Sequence, residues 1–155
     1  MPPGRLRELV AIAAHPLNQP RIEPGTRFIS RGYGILQPRI ATPMPTTEAG
    51  TWFHSLFAGR LGVDPYSAAS SEIYQDVFGQ GTFTGKGLLN VQATHTVLGG
   101  QLPPEHVLSH DLLEGALLRC AGVSDVTFVA DAPMHADVAA SRLHRWTRGD
   151  WPLLP

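Results

Sequence analysis

Residues 109–149 read SHDLLEGALLRCAGVSDVTFVADAPMHADVAASRLHRWTRG, and this stretch decides the fold class. Ser109 can cap a helix through its hydroxyl, and Asp111 falls in the first turn, where the helix dipole favours negative charge. Apolar spacing carries that helix to about Ala121, with Gly122 as the stop. Val126, Phe128 and Ala130 alternate across 123–130, which predicts a strand. A second helix is predicted over 135–148, ending at Gly149. Helix, strand and helix in close succession give an α/β class.

Toward the N-terminus the same signals are weaker. Leu6, Leu9, Val10 and Ala13 follow helical spacing over 3–14, and His15-Pro16 ends that helix. Loop follows through Pro24-Gly25. Residues 27–36 read as a strand or hairpin interrupted by Gly32 and Gly34, with Gln37-Pro38 closing it. Residues 41–50 form a loop. A short amphipathic helix then uses Trp52, Phe53, Leu56, Phe57 and Leu61, and Asp64-Pro65-Tyr66 is a turn. Residues 79–87 are dense in glycine, 88–91 read as a short strand, and 92–98 suit a helix. There is no internal repeat and no low-complexity block.

With 155 residues the chain is one domain or part of one. Hydrophobic residues make up 43%, enough for a core, so 16 glycines and 14 prolines indicate long turns rather than disorder. The formal net charge of −1 gives no nucleic-acid footprint. Lys86 is the only lysine, and arginine supplies the rest of the fixed positive charge, which suits bidentate recognition of phosphate or carboxylate. Cys120 is the only cysteine and lies in an apolar run, which makes it a buried structural thiol. No stretch approaches the ~20 apolar residues of a membrane-spanning helix.

Three constellations can carry chemistry. Arg142, Arg145 and Arg148 are three apart on a helix, with Trp146 one turn beyond Arg142. A pyrophosphate would relieve their mutual repulsion, and an indole is a platform for a sugar ring. A solvated helix end is the plainer account of the same spacing. His110-Asp111 opens a helix where an ionised carboxylate is favoured, and such a group can act as general base toward a sugar hydroxyl. The plainer account is an ordinary helix-stabilising acid. Three adjacent residues cannot form a Ser-His-Asp relay, and a metal-dependent His-Asp phosphohydrolase would need further ligands that the scattered histidines do not supply. Finally, residues 79–87 fail as a phosphate-binding Walker loop, because Gln80 stands at its first glycine and Gly87 follows Lys86.

Several segments occur together in a fixed order. They are AHPLN at 14–18, GYGILQPR at 32–39, DPY at 64–66, YQDVFG at 74–79, GKG at 85–87, LSHDLLEG at 108–115, SDV at 124–126 and HRW at 144–146. This ordered set, spread over nearly the whole chain, resembles the glycosyltransferase domain of the cyclic β-1,2-glucan synthases. These are large bacterial inner-membrane enzymes that extend a glucan from UDP-glucose.

The resemblance implies that residues 1–155 are a single partial domain of GT-A type. It would be the C-terminal, acceptor-side part, with a mixed sheet and flanking helices, lacking the N-terminal nucleotide-binding half. By similarity to processive inverting transferases, Asp111 matches the general base, with His110 beside it. Arg142 and Arg145 match residues facing the UDP diphosphate, and Trp146 faces the acceptor glucose. Gln37 and Pro38 resemble the segment lining the acceptor cleft, and Lys86 of the GKG run is assigned there too. The Mg²⁺ or Mn²⁺ of the family would be held by an Asp-x-Asp pair upstream of Met1, with no metal bound by this chain itself. Where the family carries acids and an aromatic, this chain has Asn90, Gln92 and Thr94.

The expected partners are UDP-glucose, a β-glucan acceptor and the missing N-terminal half. The expected location is the cytoplasmic face of the bacterial inner membrane in the full-length setting, and the cytoplasm, soluble or unstable, for the fragment. The fragment alone is expected to be inactive and to leave a sheet edge exposed. A misplaced start, a frameshift and a split subunit would each produce such a chain. The alternative is a non-catalytic carbohydrate-binding remnant or a split-subunit interaction module.

Overall fold

The computed structural model describes residues 4–43, 50–57, 73–101, 110–131 and 133–153. The expected Ser109 cap, Leu61 and the Asp64-Pro65-Tyr66 turn lie outside the described residues.

The first helix, α1 (Arg5–Ala14), forms where the apolar spacing placed it, and Leu9 is buried. After it, β1 (Arg21–Ile22) and β2 (Ile29–Arg31) pair as an antiparallel ribbon. The sheet proper has three strands in the order β4-β3-β5. Its centre is β3 (Ile35–Ala41), antiparallel to β4 (Leu88–Leu89) and parallel to β5 (Cys120–Val129).

Two strand limits differ from the sequence expectation. Gln37-Pro38 does not close β3, which runs on to Ala41. Its neighbour β4 pairs only with Ile35 and Leu36, and the register with β5 is interrupted between Pro38 and Arg39. The N–H that proline lacks is therefore not needed there. On the other side, β5 starts at Cys120 rather than at 123. Arg119, at φ 55° and ψ 107°, turns the chain from helix to strand in one residue. The helix-end carbonyls of Leu118 and Arg119 accept from Gly34 and Ile35 N–H at 2.7 and 3.3 Å. The start of β3 thus satisfies acceptors that every helix end leaves open.

Successive side chains on a strand point to opposite faces, so β3 and β5 feed two cores. Ile35 and Cys120 join Ile29, Phe83, Ala93, Val97, Leu98 and Leu118 on one face. Leu36 and Ala121 join Leu9, Val123 and Val126 on the other. Between Val123, opposite Pro38, and Thr127, opposite Arg39, β5 carries extra residues. Ser124 and Asp125 of this bulge are exposed, while Val126 returns to the core. Cys120 is buried and outside any disulfide, as its apolar context requires.

Beyond β5 no further strand pairs with it among the described residues, but its edge is not bare. Gly81 N–H donates to the Cys120 carbonyl at 2.7 Å. One residue pair on, the Gln75 side chain accepts from Gly122 N–H at 2.6 Å and donates to its carbonyl at 3.2 Å.

The remaining helices are α2 (Trp52–Phe57), α3 (Ile73–Phe78), α4 (Val91–Leu98), α5 (Asp111–Leu118) and α6 (Ala136–Asp150). The short α3 had no clear periodic signal. Asn90 caps α4 by accepting from Ala93 N–H at 2.9 Å. The end of α6 passes into a 3-10 turn, Trp151–Leu153. The class is thus mixed α/β, with a mixed sheet and flanking helices. No helix among the described residues is long and apolar enough to cross a membrane.

Leu118 sits at the junction of α5, β3 and the first core cluster and is fully buried. Leu118→Ala is expected to cost about 3 kcal/mol, the usual scale for a buried leucine. Urea unfolding should then show a lower midpoint with an unchanged slope. Leu6→Ala on the exposed side of α1 should stay within about 0.5 kcal/mol.

Candidate functional site

The glycine-dense segment 79–87 takes its shape from one buried side chain. Gln37 points out of β3, is 5% exposed, and spends its amide on that segment. Its Nε2 donates to the Thr82 carbonyl at 3.0 Å. Its Oε1 accepts from Thr84 N–H at 2.7 Å and from the Thr84 hydroxyl at 3.0 Å. Phe83, held between those two residues, turns into the core against Gly115 of α5.

Asp111, the first residue of α5, lies directly against this loop. A Cβ added to Gly85 would stand 2.4 Å from Asp111 Oδ2. Gly85 also has φ +90°, a conformation that favours glycine. Gly85 and Asp111 thus meet in space, which their separation in sequence does not reveal, with the Asp111 carboxyl seated against the Gly85 backbone. Lys86 itself is exposed.

The electrostatics of Asp111 differ from the helix-terminus expectation. Its carboxyl is pushed above the usual carboxylate range, first by burial and then by the Asp150 carboxylate, with His110 opposing. Glu114, one turn on, is raised by burial and by Asp111, again against His110. The local dipole favours the ionised form, but lost hydration and a second acid outweigh it. A raised value makes Asp111 a stronger base once ionised. His110 takes the N-cap position without a capping bond, and its buried Nδ1 has no partner.

Asp150 closes α6, and this carboxylate lies close enough to act on Asp111. Trp146 and Arg142 precede Asp150 by one and two turns, so all three share a face of α6. The Arg142 guanidinium lies 5.3 Å from the Trp146 ring centroid, a cation–π arrangement. Trp146 is 38% exposed, and Arg145, one position off that face, is exposed.

The structure thus brings together Asp111, His110 and the loop that carries Lys86, while Arg142 and Trp146 contact each other and are tied to Asp111 only through the charge of Asp150 on the same helix. Gln37 and Pro38 are placed differently: both are buried within the sheet, and Gln37 reaches Asp111 only through the loop. Asp150 and Glu114 were not site candidates in the sequence, and Gly85 entered only with the GKG run assigned to the acceptor cleft. The spacing of Asp150 four residues after Trp146 was the available signal. Arg119 is a further basic group, 5.7 Å over the Tyr33 ring and donating to the Gly79 carbonyl at 3.2 Å.

Among the described residues no three histidine, cysteine or acidic side chains gather as a metal ion requires. A cavity of about 300 Å³ opens between α1, β3 and β4, lined by residues including Val10, Asn18, Tyr33 and Leu88. It contains none of the candidate residues.

A carboxyl raised above its unfolded value stabilises the fold below that unfolded value and ceases to do so as pH rises through the folded one. Near neutrality Asp111 therefore opposes folding, and Asp150→Asn should relieve part of this. The expected gain is about 0.5 kcal/mol, since both groups are partly solvated. Thermal unfolding should show a higher Tm near neutral pH and no gain in acid, where the carboxyls are protonated.

No protein-family model matches the chain. Over 148 residues the chain is 45% identical to the cyclic beta-(1,2)-glucan synthase NdvB of Rhizobium meliloti (strain 1021), an alignment covering 96% of this chain. It covers 5% of that protein, so the chain spans only a small part of its relative's length. The chain is thus related, over nearly all of its residues, to one short segment of a cyclic β-(1,2)-glucan synthase.

Proposed function

We propose that this chain is the acceptor-side part of a GT-A-type glycosyltransferase domain of a cyclic β-1,2-glucan synthase. The reaction is inverting transfer of glucose from UDP-glucose to a growing β-1,2-glucan. The observation that carries the reading is the 45% identity extending over 96% of the chain. The electrostatic link between Asp111 and Asp150, the last residue of the helix that carries Arg142 and Trp146, supports it.

In this reading Asp111 accepts the proton of the acceptor hydroxyl as its oxygen attacks C1 of the glucose, and UDP departs from the opposite face. Its raised proton affinity narrows the gap to the hydroxyl it must deprotonate. Arg142 and Arg145 take up charge on the departing diphosphate, and Trp146 presents a flat apolar surface to the acceptor ring. Gln37 acts through the loop, with Pro38 behind it, and His110 and Lys86 border the cleft.

The Mg²⁺ or Mn²⁺ of such a reaction would be bound by residues other than those described, and no step here runs through it. The chain would require the nucleotide-binding part of the domain for activity. It would work at the cytoplasmic face of the bacterial inner membrane.

A second reading is a non-catalytic interaction module or carbohydrate-binding remnant. It is favoured by large apolar side chains left open to solvent, among them Trp52 at 83% and Val91 at 81%. Such groups suit contact with further polypeptide.

The two readings separate when this segment is joined to a nucleotide-binding half and glucose transfer from UDP-glucose is measured. Asp111→Asn should lower the rate at least ~100-fold, the scale of a lost general base. Arg145→Ala should weaken UDP binding about tenfold, equivalent to ~1.4 kcal/mol. An Asp111→Asn protein that retains full transfer overturns the catalytic reading.

A further inference from the structure

We propose that Gln37 and Gly85 are positioning residues that fix where the Asp111 carboxylate stands, by clamping the glycine-dense loop onto the first turn of α5. The functional consequence rests on Asp111 being the base, but the clamp itself does not.

The clamp has two points. Phe83 of the loop fills the space over Gly115, where an added Cβ would approach the Phe83 Cβ to 2.7 Å. Asp111 of the helix fills the space over Gly85, where an added Cβ would lie 2.4, 2.9 and 3.1 Å from its three carboxyl atoms. The contacts are reciprocal, with a side chain from each partner seated on a glycine of the other. Two residues of the loop thus span four residues of α5, with Phe83 against Gly115 and Gly85 against Asp111. The loop can therefore run beside α5 in register only when both glycines are bare.

Gln37 sets the depth of the clamp. Its amide holds Thr82 and Thr84, the two residues flanking Phe83, with both its donor and its acceptor engaged. Gln37 lies in the middle of β3, whose own position is fixed by pairing on both sides. Sheet register is thus passed through one side-chain amide to the loop, and from the loop to a carboxylate. Gln37, which resemblance assigns to a sugar cleft, thus reaches the carboxylate through the loop.

The test is the titration of the Asp111 carboxyl carbon by NMR in the isotope-labelled 155-residue chain. No sugar nucleotide or transfer activity is required, so failure of the glycosyltransferase reading leaves this result intact. In the wild-type chain burial holds the carboxyl above the ordinary carboxylate range. Gly85→Ala and Gln37→Ala release it toward solvent, and its midpoint should fall toward the ordinary value. Thr84→Val, which removes only the hydroxyl bond to Gln37, should shift it less and in the same direction. Leu9→Ala, buried in the other core cluster, should lower Tm yet leave the Asp111 midpoint where it was. If Gln37→Ala or Gly85→Ala does not fold, the Thr84→Val shift decides. The proposal is overturned if Thr84→Val and any folded loop variant leave the midpoint unchanged, or if Leu9→Ala moves it as far.

Discussion

The parallel pairing of Ile35–Ala41 with Cys120–Val129 is the constraint on which the rest of the molecule depends. It joins segments some eighty residues apart, so it carries a large loop-closure cost and needs apolar burial on both faces to form. Paired residues supply that burial in alternation, Ile35 with Cys120 to one side and Leu36 with Ala121 to the other. The pairing also captures the end of α5, whose last carbonyls accept from the N–H groups that open β3. Asp111 stands at the other end of that helix, about 12 Å of helical rise from the sheet. Its location is therefore a consequence of strand register.

Features with a local cause were legible in the amino-acid order. The apolar spacing of Leu6, Leu9 and Val10 marked α1, a helix was expected over 135–148 where α6 forms, and the apolar run around Cys120 correctly marked a buried thiol. Features caused by distant residues were not. Pro38 looks like a strand end until β4 is seen to stop before it and β5 to bulge beside it. Gly122 looks like a helix stop, but Arg119 takes the turn because Cys120 is already engaged with β3. An isolated helix terminus would favour ionised Asp111. Burial and then the Asp150 carboxylate reverse this, and both depend on residues that no local window contains.

The candidate site combines groups in opposed electrostatic settings. Burial and then the Asp150 carboxylate raise Asp111, burial and then Asp111 raise Glu114, while Arg142 and Arg145 sit one to two turns before Asp150 along α6. The Arg142 guanidinium rests on the Trp146 ring, which gives it a defined place. The polar capacity of Gln37 is consumed inside the protein, which shows how a residue type suited to ligand contact can be committed to architecture. Of the residues implied by resemblance, those on α5 and α6 keep access to solvent or partial exposure, and those on β3 do not.

The Gln75 side chain meets Gly122 with one acceptor and one donor, the same pair that a peptide group presents. A β-ladder extended from another molecule along this margin would find the hydrogen-bonding positions at Cys120 and Gly122 already filled. Displacing the amide would forfeit two bonds before any are gained, and Gly81 blocks the neighbouring step. At Gly122 one glutamine side chain thus occupies the place where an added strand would bond, with neither charge nor proline.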